Sequence, residues 1–88
     1  MKLTPWKIQW PDGSITDARS SYELLARLGK EQPTGPIDVQ EMKNRLSRRA
    51  QAMPGTTGQY IHPHQPDRPF LIELGRVGLF KIIEEGTA

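Results

Sequence analysis

The chain has 88 residues, 35% of them hydrophobic and 25% charged, which bounds it to one small globular domain with a modest core and a stability margin of roughly a few kcal/mol. It contains no cysteine, which excludes disulfides, thiol chemistry, Cys-based zinc sites and iron–sulfur clusters. Its 12 basic and 10 acidic residues leave a net charge of +2, a smaller excess than a dedicated nucleic-acid binder usually carries, although the pI of 9.2 overstates it.

The opening "MKLTPWKIQW" has no long apolar run after its basic start, so no signal peptide is expected, and no window approaches the roughly 18 apolar residues of a membrane span. The expectation is a soluble cytoplasmic protein. Met1 leads straight into a strand-like pattern, as a complete short gene product would. "WKIQWPDGSITDA" then reads as a β-hairpin. Trp6, Ile8 and Trp10 alternate with Lys7 and Gln9, so one face is apolar at period two. Pro11-Asp12-Gly13 fits a type I turn followed by a glycine bulge. That turn sets Trp10 opposite Ser14, Ile8 opposite Thr16 and Lys7 opposite Asp17. The two tryptophans are expected on the buried face of the hairpin; the competing reading is a stacking platform for bases.

"SSYELLARLG" predicts a short helix. Ser20 and Glu23 form a capping box, Leu24, Leu25 and Leu28 make the buried stripe, and Gly29 suits a left-handed cap. "KEQPTGPI" interrupts the chain. A second helix starts near Asp38, a good N-cap, and stops at Pro54-Gly55. Its apolar positions Val39, Met42, Leu46, Ala50 and Met53 repeat at helical spacing and make one core-facing stripe. Residues 54–69 form a long Pro/Gly-rich loop, whose middle Tyr60 and Ile61 are expected to anchor to the core. "PFLIELGRVG" predicts a third helix beginning at Pro69, with Phe70, Leu71, Leu74 and Val77 on one side and Gly78 as its end. A strand–turn–strand reading of residues 71–83, bent at Gly75 or Gly78, competes with it. "LFKIIEE" predicts a final strand, apolar on both faces and therefore interior to the sheet. The expected fold is a single α+β domain over residues 1–88, in the order β-β-α-α-α-β.

The candidate site is the second helix. Arg45, Arg48 and Arg49 cluster on the helical wheel roughly 110° from the centre of the apolar stripe. Lys43 lies on the stripe's other flank, so it joins a binding surface only if a partner wraps the helix. Glu41 stands four residues before Arg45, the favourable order for an ion pair, and Asp38 shares the sector. One reading is a solvated, self-neutralising face. The other is a surface for phosphate or for an acidic protein. A helix-turn-helix fits poorly, because that motif joins its helices by about three or four residues and the breaks here are much longer.

His62 and His64, with Asp67, have too few companions to complete a metal site, and no metal or cofactor is expected. "PGTTG" lacks the Lys-Ser/Thr of a phosphate loop and follows a helix. No nucleophile–base pair or paired carboxylates stand out, so no catalytic residue is assigned, no small-molecule substrate is evident, and the protein is expected not to be an enzyme. The series "WPDGS", "RSSYELL", a basic helix and "PFLIELGRVGLFKI" resembles short uncharacterised proteins of actinobacteria and their phages. The resemblance implies a small phage or prophage accessory product with a host or virion partner. It transfers no activity and no functional residue.

The expectation is thus a non-enzymatic module acting through protein–protein contact or homo-oligomerisation, with Lys43, Arg45, Arg48, Arg49 and Tyr60 as candidate partner- or phosphate-binding residues. Nucleic-acid binding through phosphates is the alternative. A phosphate binder should leave the three arginines free, joined by Lys43 or by Arg27, Lys30 or Arg76. A protein binder should show apolar surface beside them. A structural helix should show Glu41 and Asp38 closing on them.

Overall fold

A computed structural model describes residues 4–53 and 60–87. The elements are β1 (Trp6–Gln9), β2 (Ile15–Ala18), α1 (Ser21–Lys30), α2 (Val39–Ala52), α3 (Asp67–Arg76) and β3 (Lys81–Glu84). The fold is α+β in the predicted order. The three strands make one antiparallel sheet in the order β2-β1-β3, and the core lies between one face of that sheet and the three helices.

The hairpin follows from its turn chemistry. Gly13 N donates to Trp10 O, Trp10 N donates to Ser14 O, and Gly13 takes a φ of 92°, a conformation that side chains resist. Asp12 Oδ1 accepts from both Ser14 N and Ser14 Oγ, which stiffens the tip. The resulting register pairs Lys7 with Asp17 and Ile8 with Thr16, as the pattern predicted. Trp6 and Ile8 are wholly buried, while Trp10 packs on the core's margin.

Helix α1 is capped by Ser20, whose Oγ accepts from Glu23 N. The return bond of the capping box is displaced: the Glu23 carboxylate accepts from Arg19 N, one residue before the cap. Gly29 does not end the helix. It is helical and buried, and its carbonyl accepts from Ile37 N. A Cβ at Gly29 would lie 2.5 Å from Ile37 O, so the residue is small because the incoming chain crosses it.

Helix α2 starts at the predicted cap, with Asp38 Oδ1 accepting from Glu41 N at 2.8 Å. Its predicted stripe is correct: Met42, Leu46 and Ala50 are buried, and Val39 and Met53 pack against the core. The predicted stop at Pro54-Gly55 lies outside the described residues, as does the "PGTTG" stretch; the last helical residue is Ala52.

Helix α3 begins at Asp67, which puts Pro69 in its first turn as predicted and ends the loop predicted over residues 54–69 at Pro66. Pro69 falls within the first turn, where a helix has no internal use for its N–H. At the far end Gly78 N donates to Gly75 O and Leu79 N to Leu74 O, with Gly78 at a φ of 91°. This is the paired bonding of a Schellman cap, and its signature Leu74 and Leu79 are both buried. It excludes the strand–turn–strand alternative.

Strand β3 is an edge strand and not the predicted interior one; β1 holds the centre. Only Ile82 opposes a core residue, Ile8, while Ile83 is unmatched at a bulge and 48% exposed. The apolar character of "LFKIIEE" comes instead from Leu79 and Phe80, buried before the strand begins. Thr4 and Thr87 exchange two hydrogen bonds that carry the β1–β3 pairing outward.

Candidate functional site

The polar side chains of α2 divide into two flanks. On one, Gln40, Lys43 and Ser47 stand at helical spacing and donate to the carbonyls of Pro63, Gln65 and Ile61. These carbonyls belong to alternate residues of a strap that turns at Pro63-His64, so three bonds bind the strap to the helix, with Ile61 and Pro63 buried against it. Lys43 is 5% exposed. Its Nζ also lies 2.9 Å from Asp67 Oδ1 and 5.4 Å from the centre of the Phe70 ring. Lys43 is therefore a strut between α2, the strap and the start of α3, and it contributes no charge to the surface.

The strap's other edge faces out. Tyr60 is 58% exposed, so Ile61 anchors the loop and Tyr60 does not. Tyr60, His62 and His64 form a row of edge-to-face rings, at 5.9 and 5.4 Å between centroids. His64 N donates to His62 Nδ1, which engages that nitrogen as an acceptor. Asp67, the third ligand considered for a metal, is occupied by Lys43. Among the described residues no group of three or more His, Asp or Glu side chains could hold an ion.

On the opposite flank are the arginines, and Lys43 is roughly 140–160° around the helix from Arg45 and Arg48. Glu41 Oε1 lies 3.5 Å from both Arg45 and Arg48. Arg45 also reaches Gln32 Oε1 at 3.4 Å and Thr34 Oγ1 at 3.5 Å. Arg48 is open to solvent, with its side chain 71% exposed. Arg49 is different. Its guanidinium sits 6.0 Å from the Trp10 ring centre, and it meets no carboxylate among the described residues. Asp38 is spent on capping α2. One carboxylate thus serves two of the three arginines, and exposed pairs of this kind contribute about 0–1 kcal/mol each.

Arg49 borders a groove of about 560 Å³ between the hairpin tip and the helices. Its walls are Trp10–Asp12 and Ser14–Thr16 of the hairpin, Leu28, Glu31 and Gln32 at the end of α1, and Met42 and Arg49 of α2. Ile15 stands at its edge, 49% exposed. Trp10 is held firmly: its Nε1 donates to Thr16 Oγ1 at 2.9 Å, and Phe80 packs edge-on at 5.4 Å. The groove was not foreseen from the sequence. The separate signals for it, an apolar residue on the short strand β2 and an arginine near the stripe of α2, gave no reason to bring them together.

Among the described residues no helix is long and apolar enough to cross a membrane. No family model, curated protein or solved structure matches the chain.

Proposed function

We propose that the protein is a non-enzymatic binding module acting through protein–protein contact, with the arginine flank of α2 and the groove beside it as its docking surface. The observation that carries this reading is Arg49, whose guanidinium lies 6.0 Å over the Trp10 ring without a carboxylate partner among the described residues, next to the apolar groove walls of Ile15, Leu28 and Met42. Aromatic and arginine side chains on preformed apolar surface are the common anchors of protein interfaces. Tyr60 belongs to a separate surface, because the strap lies along the other flank of α2. The proposed cytoplasmic setting rests on the sequence reading, and a phage accessory role rests on the resemblance alone.

Phosphate binding by Arg45, Arg48 and Arg49 is the second reading, favoured by the exposure of Arg48. It is weakened where support was needed: Lys43 is buried, and Arg27 is bound to Asp17 at 3.1 Å. The two readings separate in an anisotropy titration with random single- and double-stranded DNA and RNA at about 50 and 200 mM salt, since phosphate contacts weaken steeply over that range. We expect no salt-sensitive binding. We also expect the Arg48→Glu, Arg49→Glu double variant to fold normally and to lose a protein partner captured by the native chain. Strong, salt-dependent oligonucleotide binding lost in that variant would replace this proposal with the second reading.

A further inference from the structure

We infer that Asp12 is a latent modification site, part of an Asp-Gly pair at the hairpin tip that isomerises to isoaspartate without an enzyme, and that Ser14 and the turn hold it in an unreactive arrangement. The inference goes beyond the binding reading above and does not depend on it. Asp17, Asp38 and Asp67 are followed by Ala18, Val39 and Arg68, whose side chains hinder attack by the next backbone nitrogen. Gly13 has no side chain, and even a Cβ there would meet nothing within 4 Å, so the tip has room to rearrange. Pro11 to Ile15 are all exposed, so water reaches the site.

The chemistry needs only the tip and water. Gly13 N attacks Asp12 Cγ, the N–Cγ bond forms, and a carboxyl oxygen departs as water with its own proton and the amide proton. Water then opens the cyclic imide. Attack at Cγ restores aspartate. Attack at the Asp12 main-chain carbonyl breaks its bond to Gly13 N and leaves the chain running through Cβ. Two features oppose the first step. Gly13 N donates to Trp10 O at 2.8 Å, which holds the nucleophile across the turn. Asp12 Oδ1 accepts from Ser14 N at 2.9 Å and from Ser14 Oγ at 2.7 Å, which fixes the carboxyl. The same bonds, the hydroxyl's first, hold that carboxyl below its usual value and so keep it as the carboxylate, the form that cannot lose water directly. Isomerisation adds a methylene to the main chain inside a turn closed by Gly13 N to Trp10 O and Trp10 N to Ser14 O. The lengthened turn cannot keep both bonds, so Trp10 loses its fixed place as a wall of the groove.

The test is incubation of the full chain at neutral pH, warm but below its melt, with peptide mapping by electron-transfer fragmentation, which distinguishes isoaspartate from aspartate. The native chain, the same chain unfolded in guanidinium, and the Ser14→Ala and Ser14→Thr variants are compared. Isoaspartate is expected at residue 12 and not at Asp17, Asp38 or Asp67, and it should form more slowly in the native chain than in the unfolded one. Ser14→Ala should raise the native rate by about two- to tenfold, the range that one hydrogen bond's net contribution supports, and leave the unfolded rate unchanged. Ser14→Thr keeps the hydroxyl and should keep the slow rate. Circular dichroism should show both variants folded, and the tryptophan fluorescence of the aged chain should change in step with isoaspartate. Native and unfolded chains reacting equally, or Ser14→Ala reacting like the native chain, overturns the role of Ser14. No isoaspartate at residue 12 in either state overturns the site itself, and an aged chain with unaltered fluorescence overturns the effect on Trp10.

Discussion

Replacing Lys43 by methionine keeps the hydrocarbon stem and removes the ammonium group that ties α2 to the strap and to α3. Two hydrogen bonds are lost, to Gln65 O at 2.5 Å and Asp67 Oδ1 at 2.9 Å, together with a cation contact on the Phe70 ring. Hydrogen bonds to charged groups contribute roughly 1.5–3 kcal/mol, and breaking a wholly buried ion pair costs about 3–5 kcal/mol. The Asp67 side chain is 25% exposed and regains some water, so the expected loss is about 2–3 kcal/mol. Against a stability margin of roughly a few kcal/mol for a domain of this size, that is a large fraction. Urea denaturation followed by tryptophan fluorescence should show the midpoint falling by about 2–3 M if the slope is near 1 kcal/mol/M. A thermal melt should fall by roughly 8–20 °C. Arg48→Ala is the control and should move stability by no more than about 0.5 kcal/mol. If Lys43→Met proved as neutral as Arg48→Ala, the strut would be refuted and Lys43 returned to the exposed basic surface.

Gly29→Ala should destabilise the fold by about 1–3 kcal/mol despite alanine's better helix propensity, because its Cβ would press on the Ile37 carbonyl. A raised melting temperature in that variant would show that the chain crossing at Ile37 is looser than described. At the hairpin tip, hydrogen bonds from the Ser14 hydroxyl and then the Ser14 backbone N–H hold the Asp12 carboxyl below its usual 3.8. A carboxyl depressed in the folded state stabilises above its unfolded pKa, and that contribution disappears as pH falls through the folded value. Its loss therefore lies in the acid range below 3.8. Carbon-detected NMR titration should place the Asp12 midpoint under that value, and Ser14→Ala should raise it; an unchanged midpoint in Ser14→Ala would rule out the hydroxyl as the main cause.

Local chemistry decided what was legible in the sequence. The hairpin register followed from Pro11-Asp12-Gly13, the starts of α1 and α2 from Ser20 and Asp38, and the stripe of α2 from the spacing of Met42, Leu46 and Ala50. Each of these signals is satisfied within a few residues, so it needs no knowledge of distant chain. The ion pair of Glu41 with Arg45, four residues on, was legible for the same reason. The inferences that failed depended on a remote neighbour. Gly29 looked like a cap until Ile37 crossed it, and Lys43 looked like a surface cation until the strap and Asp67 covered it. Strand β3 looked interior because hydrophobicity records burial without saying which layer supplies it. The amino-acid sequence by itself determined the elements, their caps and their apolar faces, since those are set by propensity and periodicity along the chain. The tertiary structure alone decided which charges remained exposed and that Trp10, Ile15 and Arg49 would border one groove, because those outcomes depend on contacts between segments far apart in sequence.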